Sequence, residues 1–319
     1  MAPSDTDAMD APSPLPHHAM HRLRVKQLDA FTDRIFGGNP AGVVLDATGL
    51  SDEAMQALAR EVNASETAFV LPPTSPAADI RIRWFTPTVE VNLCGHATIA
   101  SFAAMAEEQM HGMTGAGTFA FRLETKSGIL PIEVLRTEST VTVFFGLPVP
   151  EFERAGQWKL DLMQMLGVQS EDFESRLPMV TADYLYVPFR RLHVIFSMKP
   201  NFSSIRQFLV NRKLGGLCVF TTETVERTSA VHSRFFAPHL GIDEDPVTGS
   251  ANGPLGVYLF ERGLVEVPGG RLRIIGEQGD VIRRPGRVEI EVRIEEKRVT
   301  SLRIGGRGVT VFDGWMPVP

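Results

Sequence analysis

Four side chains are the candidates for chemistry in this sequence: Glu66, His96, Asp245 and Ser250. Two carboxyls, an imidazole and a hydroxyl are groups that move protons and hold the polar parts of a small substrate. Glu66 stands in Asn63-Ala64-Ser65-Glu66-Thr67-Ala68-Phe69-Val70-Leu71, where a helix and loop give way to a strand. His96 stands in the turn Cys94-Gly95-His96-Ala97-Thr98, and Ser250 in Thr248-Gly249-Ser250-Ala251-Asn252. Asp245 belongs to the acidic stretch Asp243-Glu244-Asp245-Pro246. Taken singly, each has an ordinary structural reading. A Glu at a strand start is usually solvated, His96 after a glycine can cap a helix, Asp245 before Pro246 can be a turn acid, and Ser250 can be an N-cap.

The case for function is that the two glycine turns share one layout. Arg83-Trp84-Phe85-Thr86-Pro87 matches Arg234-Phe235-Phe236-Ala237-Pro238 in kind, position by position. Each is followed by an acidic residue, a small-residue turn, and an apolar helix candidate, Ile99 to Glu108 and Leu255 to Arg262. A purely structural repeat would not need His in one turn and Ser in the other. Strand, loop, small residues and helix are the layout of an anion site. The unpaired N–H groups and the positive end of the helix dipole point at whatever occupies the loop. On this reading Gly95, Ala97, Gly249 and Ala251 supply backbone to a substrate, and the glycines allow close approach. The copies lie far beyond the period of a solenoid, so the chain reads as two related domains offering helix N-termini to one cleft.

The elements that must position these groups are legible in outline. Leu23 to Ala30 and Ala41 to Leu45 read as strands, with the turn Gly37-Gly38-Asn39-Pro40 between them. Ser51-Asp52-Glu53 starts a helix carrying Met55, Leu58, Ala59 and Val62 at helical spacing. Ile80, Ile82 and Trp84 alternate as a strand before the first turn, and a helix runs from Ala97. Phe119–Leu123, Gly128–Leu135 and Thr140–Phe145 read as antiparallel strands, and Pro148 and Pro150 suit a boundary. Further strands are expected at Leu185–Pro188, Leu217–Thr221, Arg271–Ile275, Arg287–Ile294, Val299–Ile304 and Val309–Phe312, with a helix over Phe202–Leu209.

Four motifs together carry a family resemblance: FTDRIFGGNPAGVV (Phe31 to Val44), ASETAFV (Ala64 to Val70), CGHAT after FTP, and EDPVTGSA after RFFAP. The chain resembles the PhzF-like isomerases, relatives of diaminopimelate epimerase and proline racemase, over Leu23 to about Trp315. The resemblance implies an α+β fold of two pseudo-symmetric domains, each a curved, mostly antiparallel sheet around a central helix. Residues 23–135 and 304–319 would form the first domain and 136–303 the second. It implies a cofactor-independent isomerase, active as a homodimer, that moves a proton on a small carboxylate-bearing metabolite. Glu66 would be the general acid/base, with His96, Asp245 and Ser250 as the other catalytic residues. The named member of the family acts on trans-2,3-dihydro-3-hydroxyanthranilate on the way to phenazines. A free Glu titrates near about 4.3, so burial must raise Glu66 for it to work near neutral pH. The racemase relatives use two cysteines, one per turn. Here Cys94 is matched by Thr248. A racemase or epimerase using Cys94, and a non-catalytic metabolite-binding protein on the same fold, remain the competing readings.

Composition narrows the partners. A net charge of −6 gives no basic surface for nucleic acid or an anionic membrane. No apolar run approaches the roughly 20 residues of a membrane helix, and residues 1–22 have no apolar signal region, so a cytoplasmic protein is expected. The two cysteines, Cys94 and Cys218, give no disulfide framework. Residues 1–22 read as a flexible, dispensable tail whose His17, His18 and His21 have no acidic or cysteine partner spaced for a metal. Gly305-Gly306 is not a dinucleotide fingerprint, and His232 and His239 lack a ligand set, so neither cofactor nor metal is expected.

Overall fold

The computed structural model describes residues 22–318. The first half runs β1 (Arg22–Ala30), β2 (Asn39–Val44), α1 (Asp52–Val62), β3 (Glu66–Leu71), β4 (Ile80–Phe85), β5 (Glu90–Val91), α2 (Gly95–Glu107), β6 (Gly117–Thr125), β7 (Gly128–Arg136) and β8 (Val141–Leu147). The second runs β9 (Glu153–Arg154), α3 (Lys159–Leu166), β10 (Val180–Thr181), β11 (Leu185–Pro188), α4 (Leu192–Ser197), α5 (Phe202–Arg212), β12 (Leu217–Thr221), β13 (Val231–Ala237), β14 (Ile242–Asp245), α6 (Gly249–Glu261), β15 (Arg271–Gln278), β16 (Gly286–Glu295) and β17 (Arg298–Gly306). The last strand, β18 (Gly308–Pro317), returns to the first half and pairs antiparallel with β1. Arg22, assigned to the tail on sequence, opens β1 opposite Pro317; the rest of that segment lies outside the described residues.

The strand pairing repeats. In the first half β18, β1 and β2 pair antiparallel, β2 and β3 parallel, β3 and β4 antiparallel, β4 and β6 parallel, then β6, β7 and β8 antiparallel. In the second half β9, β10 and β11 pair antiparallel, β11 and β12 parallel, β12 and β13 antiparallel, β13 and β15 parallel, then β15, β16 and β17 antiparallel. The expected pair of curved, mostly antiparallel sheets around α2 and α6 is therefore present, and β8 joins β17 antiparallel between them. The division drawn at 135 and 303 falls inside this ladder, because β8 pairs with β7 and Ile304–Gly306 complete β17. We call the β8–β17 junction, where the two repeated pairing patterns meet, the seam.

Sequence signals act locally as expected in α1, where Ser51 Oγ accepts from the Ala54 N–H at 3.2 Å and Met55, Leu58 and Ala59 are buried. Strand β1 is covered on both faces. Alternation along the strand turns Leu23 and Val25 toward α1 and Leu28 toward α2, and the register shift at Gln27/Leu28 leaves Val311 of β18 as the extra residue. Two central helices start earlier than their apolar runs. Helix α2 begins at Gly95 and is buried from Ala97 to Ala106. Helix α6 begins at Gly249, although Gly253 and Pro254 look like breakers in sequence. The reason is packing. A Cβ on Gly249 would meet Ile304 Cδ1 at 2.5 Å, one on Gly253 would meet Leu147 Cδ1 at 2.7 Å, and one on Gly256 would meet Ile290 Cγ2 at 2.5 Å. These glycines let α6 lie directly on β8, β16 and β17.

The substitution Gly256→Val is therefore expected to overpack this contact and destabilise the protein by about 1–3 kcal/mol, read as a lower denaturant midpoint. An unchanged midpoint would show that the helix does not rest on β16 through this glycine.

Candidate active site

Two separate stretches bring Glu66, Cys94 and His96 together. Glu66 opens β3, directly opposite Ala41 of β2. Cys94 is the N-cap of α2, and His96 lies in its first turn. His96 Nε2 stands 3.2 Å from Glu66 Oε2 and 3.1 Å from Ser65 Oγ, and Cys94 Sγ is 3.4 Å from His96 Nδ1. The side chains of His96 and Glu66 are only 10% and 14% exposed. The angle at Glu66 leaves its Oε2 without a hydrogen-bond partner although it is buried.

Asp245 arrives from the second half at the end of β14. It accepts from Asn39 Nδ2 at 2.9 Å and from Thr248 Oγ1 at 2.5 Å. Asn39 also donates to the Val247 carbonyl at 2.9 Å, so one side chain of the first half holds the two residues flanking Pro246, just ahead of the second helix start. Behind it, Gln278 donates to the Asp245 carbonyl at 2.8 Å and accepts from Asn252 Nδ2 at 2.8 Å. Two ion pairs, one part-buried and one nearly buried, fix the strands leading into the turns. Arg83 forks onto Glu90 at 2.7 and 2.8 Å, and Arg234 onto Glu244 at 2.8 and 2.7 Å. They occupy matching places in the two halves.

A third latch crosses the seam. Buried Asp29 accepts from Arg284 at 2.6 Å and from the Phe36 N–H at 2.7 Å, while Arg284 also donates to the carbonyls of Gly37 and Gly38. It ties the loop before Asn39 to the second half.

Electrostatics sets these groups apart. Burial works to raise the Glu66 carboxyl, but the adjacent His96 imidazolium, aided by Ser65 and Cys94, outweighs it and holds Glu66 below its ordinary 4.5. The expectation that burial would raise Glu66 is thus reversed by its neighbour. Burial opposes the charged form of His96, and Cys94 and Glu66 overcome it, raising His96 well above 6.5. Burial keeps Cys94 itself protonated, so Glu66 is the partner that acts on His96 at neutral pH. Asp245 is pushed up by burial, which His96, Thr248 and Asn39 only partly offset.

Ser250 takes a different position. It is exposed, with its hydroxyl 2.9 Å from Tyr184 OH, and both line a cleft of about 490 Å³ with Leu147, Pro150 and Glu151. Among the described residues no hydrogen bond joins it to Glu66 or His96. Gly249 is buried against Phe31 and Ile304, so its missing side chain is explained by packing. Gly95 has Phe145 at 3.1 Å from a built Cβ. By helix geometry the first amides of α2 and α6 have no partner within their helices, and the first bonds are those of Thr98 to Cys94, and of Ala251 and Asn252 to Thr248. Sequence reasoning missed Asn39, Ser65, Tyr184 and Gln278. Asn39 and Ser65 lie within the recognised motifs, whereas Tyr184 and Gln278 carry no local signal. The sequence also showed no metal-ligand spacing, yet the fold sets donor atoms of Glu66, Cys94 and His96 within 4.8 Å of one another.

The model of the phenazine biosynthesis-like proteins (PhzC-PhzF) matches residues 28–314. The chain belongs to the PhzF family. It is 34% identical over 299 residues to an uncharacterized isomerase of Clostridium acetobutylicum, covering 92% of this chain and 97% of that protein. The uncharacterized isomerase YddE of Escherichia coli K12 is 33% identical over 293 residues, 91% of this chain and 96% of its own. A PhzF-family phenazine biosynthesis protein of Bacillus anthracis superposes with a TM-score of 0.81 at 34% identity, over 93% of this chain and 99% of that one. A hydroxyproline epimerase of Agrobacterium vitis shares the fold alone, at 13% identity and a TM-score of 0.54 over 93% of each chain. This PhzF-family protein is an isomerase.

The Glu66–His96 pair makes stability depend on pH with a defined sign. Glu66, held low, contributes above its ordinary 4.5 and loses that contribution as pH falls through its lower folded value. His96, held high, contributes below 6.5 and loses it as pH rises through its raised folded value. The stability difference between wild type and Glu66→Gln is therefore expected to be largest from about pH 4.5 to 6.5 and to shrink on both sides. The same substitution should bring the His96 ring titration down, as followed by NMR. A His96 titration that ignores Glu66→Gln would rule out the pair.

Proposed function

We propose that this PhzF-family isomerase moves a proton on a small carboxylate-bearing metabolite without a cofactor, with Glu66 as general acid/base between the two halves. The observation that carries this reading is Glu66 itself. It is a buried carboxylate, favoured in its ionised form, whose Oε2 pairs with His96 at 3.2 Å but accepts no well-aligned hydrogen bond. Such an oxygen is available to take a proton from bound substrate. A base held low is weak, and substrate binding strengthens it. A substrate carboxylate brought near repels the Glu66 charge and raises its pKa, and closure removes the remaining water.

His96 supports the reading as the cation beside the base. It can neutralise charge that develops on the substrate or pass a proton to it. Asp245, pushed the opposite way from Glu66, stays protonated more readily and can serve as a donor. Two carboxyls whose surroundings drive them apart are the usual mark of an acid and a base in one site. The amides at the starts of α2 and α6 offer hydrogen bonds and a positive dipole end to a carboxylate. Ser250, with Tyr184, would hold a polar substituent at the mouth of the neighbouring cleft.

The two-thiol racemase reading fares worse here. Cys94 is held as a neutral thiol, and its counterpart Thr248 donates to Asp245. A homodimer in the cytoplasm is the assembly and location that family membership suggests.

Incubating the protein with candidate small carboxylates in D₂O tests the proposal without knowledge of the product. Wild type is expected to place deuterium on a substrate carbon, seen by NMR, and Glu66→Gln to slow this by several orders of magnitude while keeping the fold. Exchange within tenfold of wild type in Glu66→Gln would overturn the assignment.

A further inference from the structure

The cluster around Glu66 has a property that proton transfer does not require. Its donors are a thiol, an imidazole nitrogen and a carboxylate oxygen, the mix that thiophilic divalent cations prefer. Tetrahedral zinc has bonds of about 2.3 Å to sulfur and about 2.0–2.2 Å to nitrogen or oxygen, so its ligand atoms stand roughly 3.3–3.6 Å apart. Here His96 Nε2 is 3.2 Å from Glu66 Oε2 and 3.8 Å from Cys94 Sγ. Cys94 Sγ lies nearer to His96 Nδ1, at 3.4 Å, so binding requires the His96 ring to turn until the Nε2 lone pair faces the sulfur and the three donors, now within 4.8 Å of one another, to draw together around the ion. The unpartnered Glu66 Oε2 is the oxygen that such an ion would use.

We propose that Glu66, Cys94 and His96 form a three-ligand site for a thiophilic divalent cation, Zn²⁺ in the first instance, and that filling it blocks the isomerase. The inhibition rests on the role given to Glu66 above; the binding does not.

Charge balance explains how a cation can sit beside a helix N-terminus. With Glu66 ionised, His96 protonated and Cys94 a thiol, the three side chains sum to zero. When the metal binds, the thiol and the imidazolium each release a proton. The sulfur forms a bond to the ion, and so does the nitrogen through its freed lone pair. The loaded cluster, with two negative ligands and one neutral ligand around a doubly charged ion, again sums to zero. The dipole of α2 therefore meets the same net charge in both states. The fourth position is left to water or a substrate oxygen. Asp245, the other carboxyl nearby, stays on Asn39 and Thr248. With its lone pair committed to the metal, Glu66 cannot accept a proton. Cys218 offers no alternative, since burial pushes its thiol up and it belongs to the apolar cluster of Tyr186, Phe220 and Phe235.

The test is a Co²⁺ titration of the full chain in thiol-free, oxygen-free buffer. Wild type is expected to show a thiolate-to-cobalt charge-transfer band, to release about two protons per ion, and to lose the band when Zn²⁺ is added. Histidines alone give no such band, so the signal isolates the cysteine. Cys94→Ala and Cys94→Ser, each checked for an unchanged circular dichroism spectrum, should both lack it. Glu66→Gln should need more cobalt to reach it. No band in wild type, or a band that persists in either folded Cys94 variant, would overturn the site. Deuterium transfer should stop with Zn²⁺ and return with a chelator. Transfer that continues at saturating Zn²⁺ would overturn the block while leaving the role of Glu66 intact.

Discussion

Two helices buried almost all round govern this structure. Helices α2 and α6 have no solvated face along most of their length, so their first amides can meet polar partners only where the helices emerge, next to the seam between the halves. Polar groups placed near those ends must then be paired and held in register. The Arg83–Glu90 and Arg234–Glu244 forks meet that demand on the strands leading in, and Asn39 meets it across the seam. The glycines of α6 follow from the same constraint, because a helix with larger residues could not lie on β16 and β17.

The same burial creates the chemistry. Water would level Glu66, His96 and Asp245 toward their ordinary values. Removed from water, their differences come from neighbours. Glu66 has His96 and titrates low, whereas Asp245 has only neutral hydrogen-bond donors in contact and titrates high. Two carboxyls of one site thus adopt opposite preferences through partners rather than through residue type. The two halves have one topology, yet in the turns Cys94 faces His96 while Thr248 faces Asp245. Divergence between the repeats makes the two turns chemically unequal.

Much of the scaffold was legible in the sequence because it is encoded locally. The Ser51 cap, the alternation in Ile80, Ile82 and Trp84, and the repeated Arg-aromatic-aromatic strand ends each announce an element within a few residues. The start of α6 at Gly249 was legible, but the role of the glycines inside it was not, since only the contacts with Leu147, Ile290 and Ile304 show why glycine is required. The candidate site was partly legible. Glu66, His96 and Asp245 were found through motif and repeat, and they do converge. Asn39 was read as a turn residue because its partner lies 206 residues away. The fall of the Glu66 carboxyl was missed for a similar reason. Apolar neighbours in the chain argued for burial, whereas the charge that decides the direction comes from a different element.

The central claim is that His96 holds Glu66 ionised in the unliganded protein and that bound substrate releases it to act near neutral pH. Carbon-detected NMR of glutamate carboxyls, titrated with and without a carboxylate that the protein accepts for deuterium exchange, measures this directly. The Glu66 signal should titrate below 4.5 in the free protein and move upward in the complex. A Glu66 carboxyl that titrates above that value without ligand, or that does not move when ligand binds, would contradict the account.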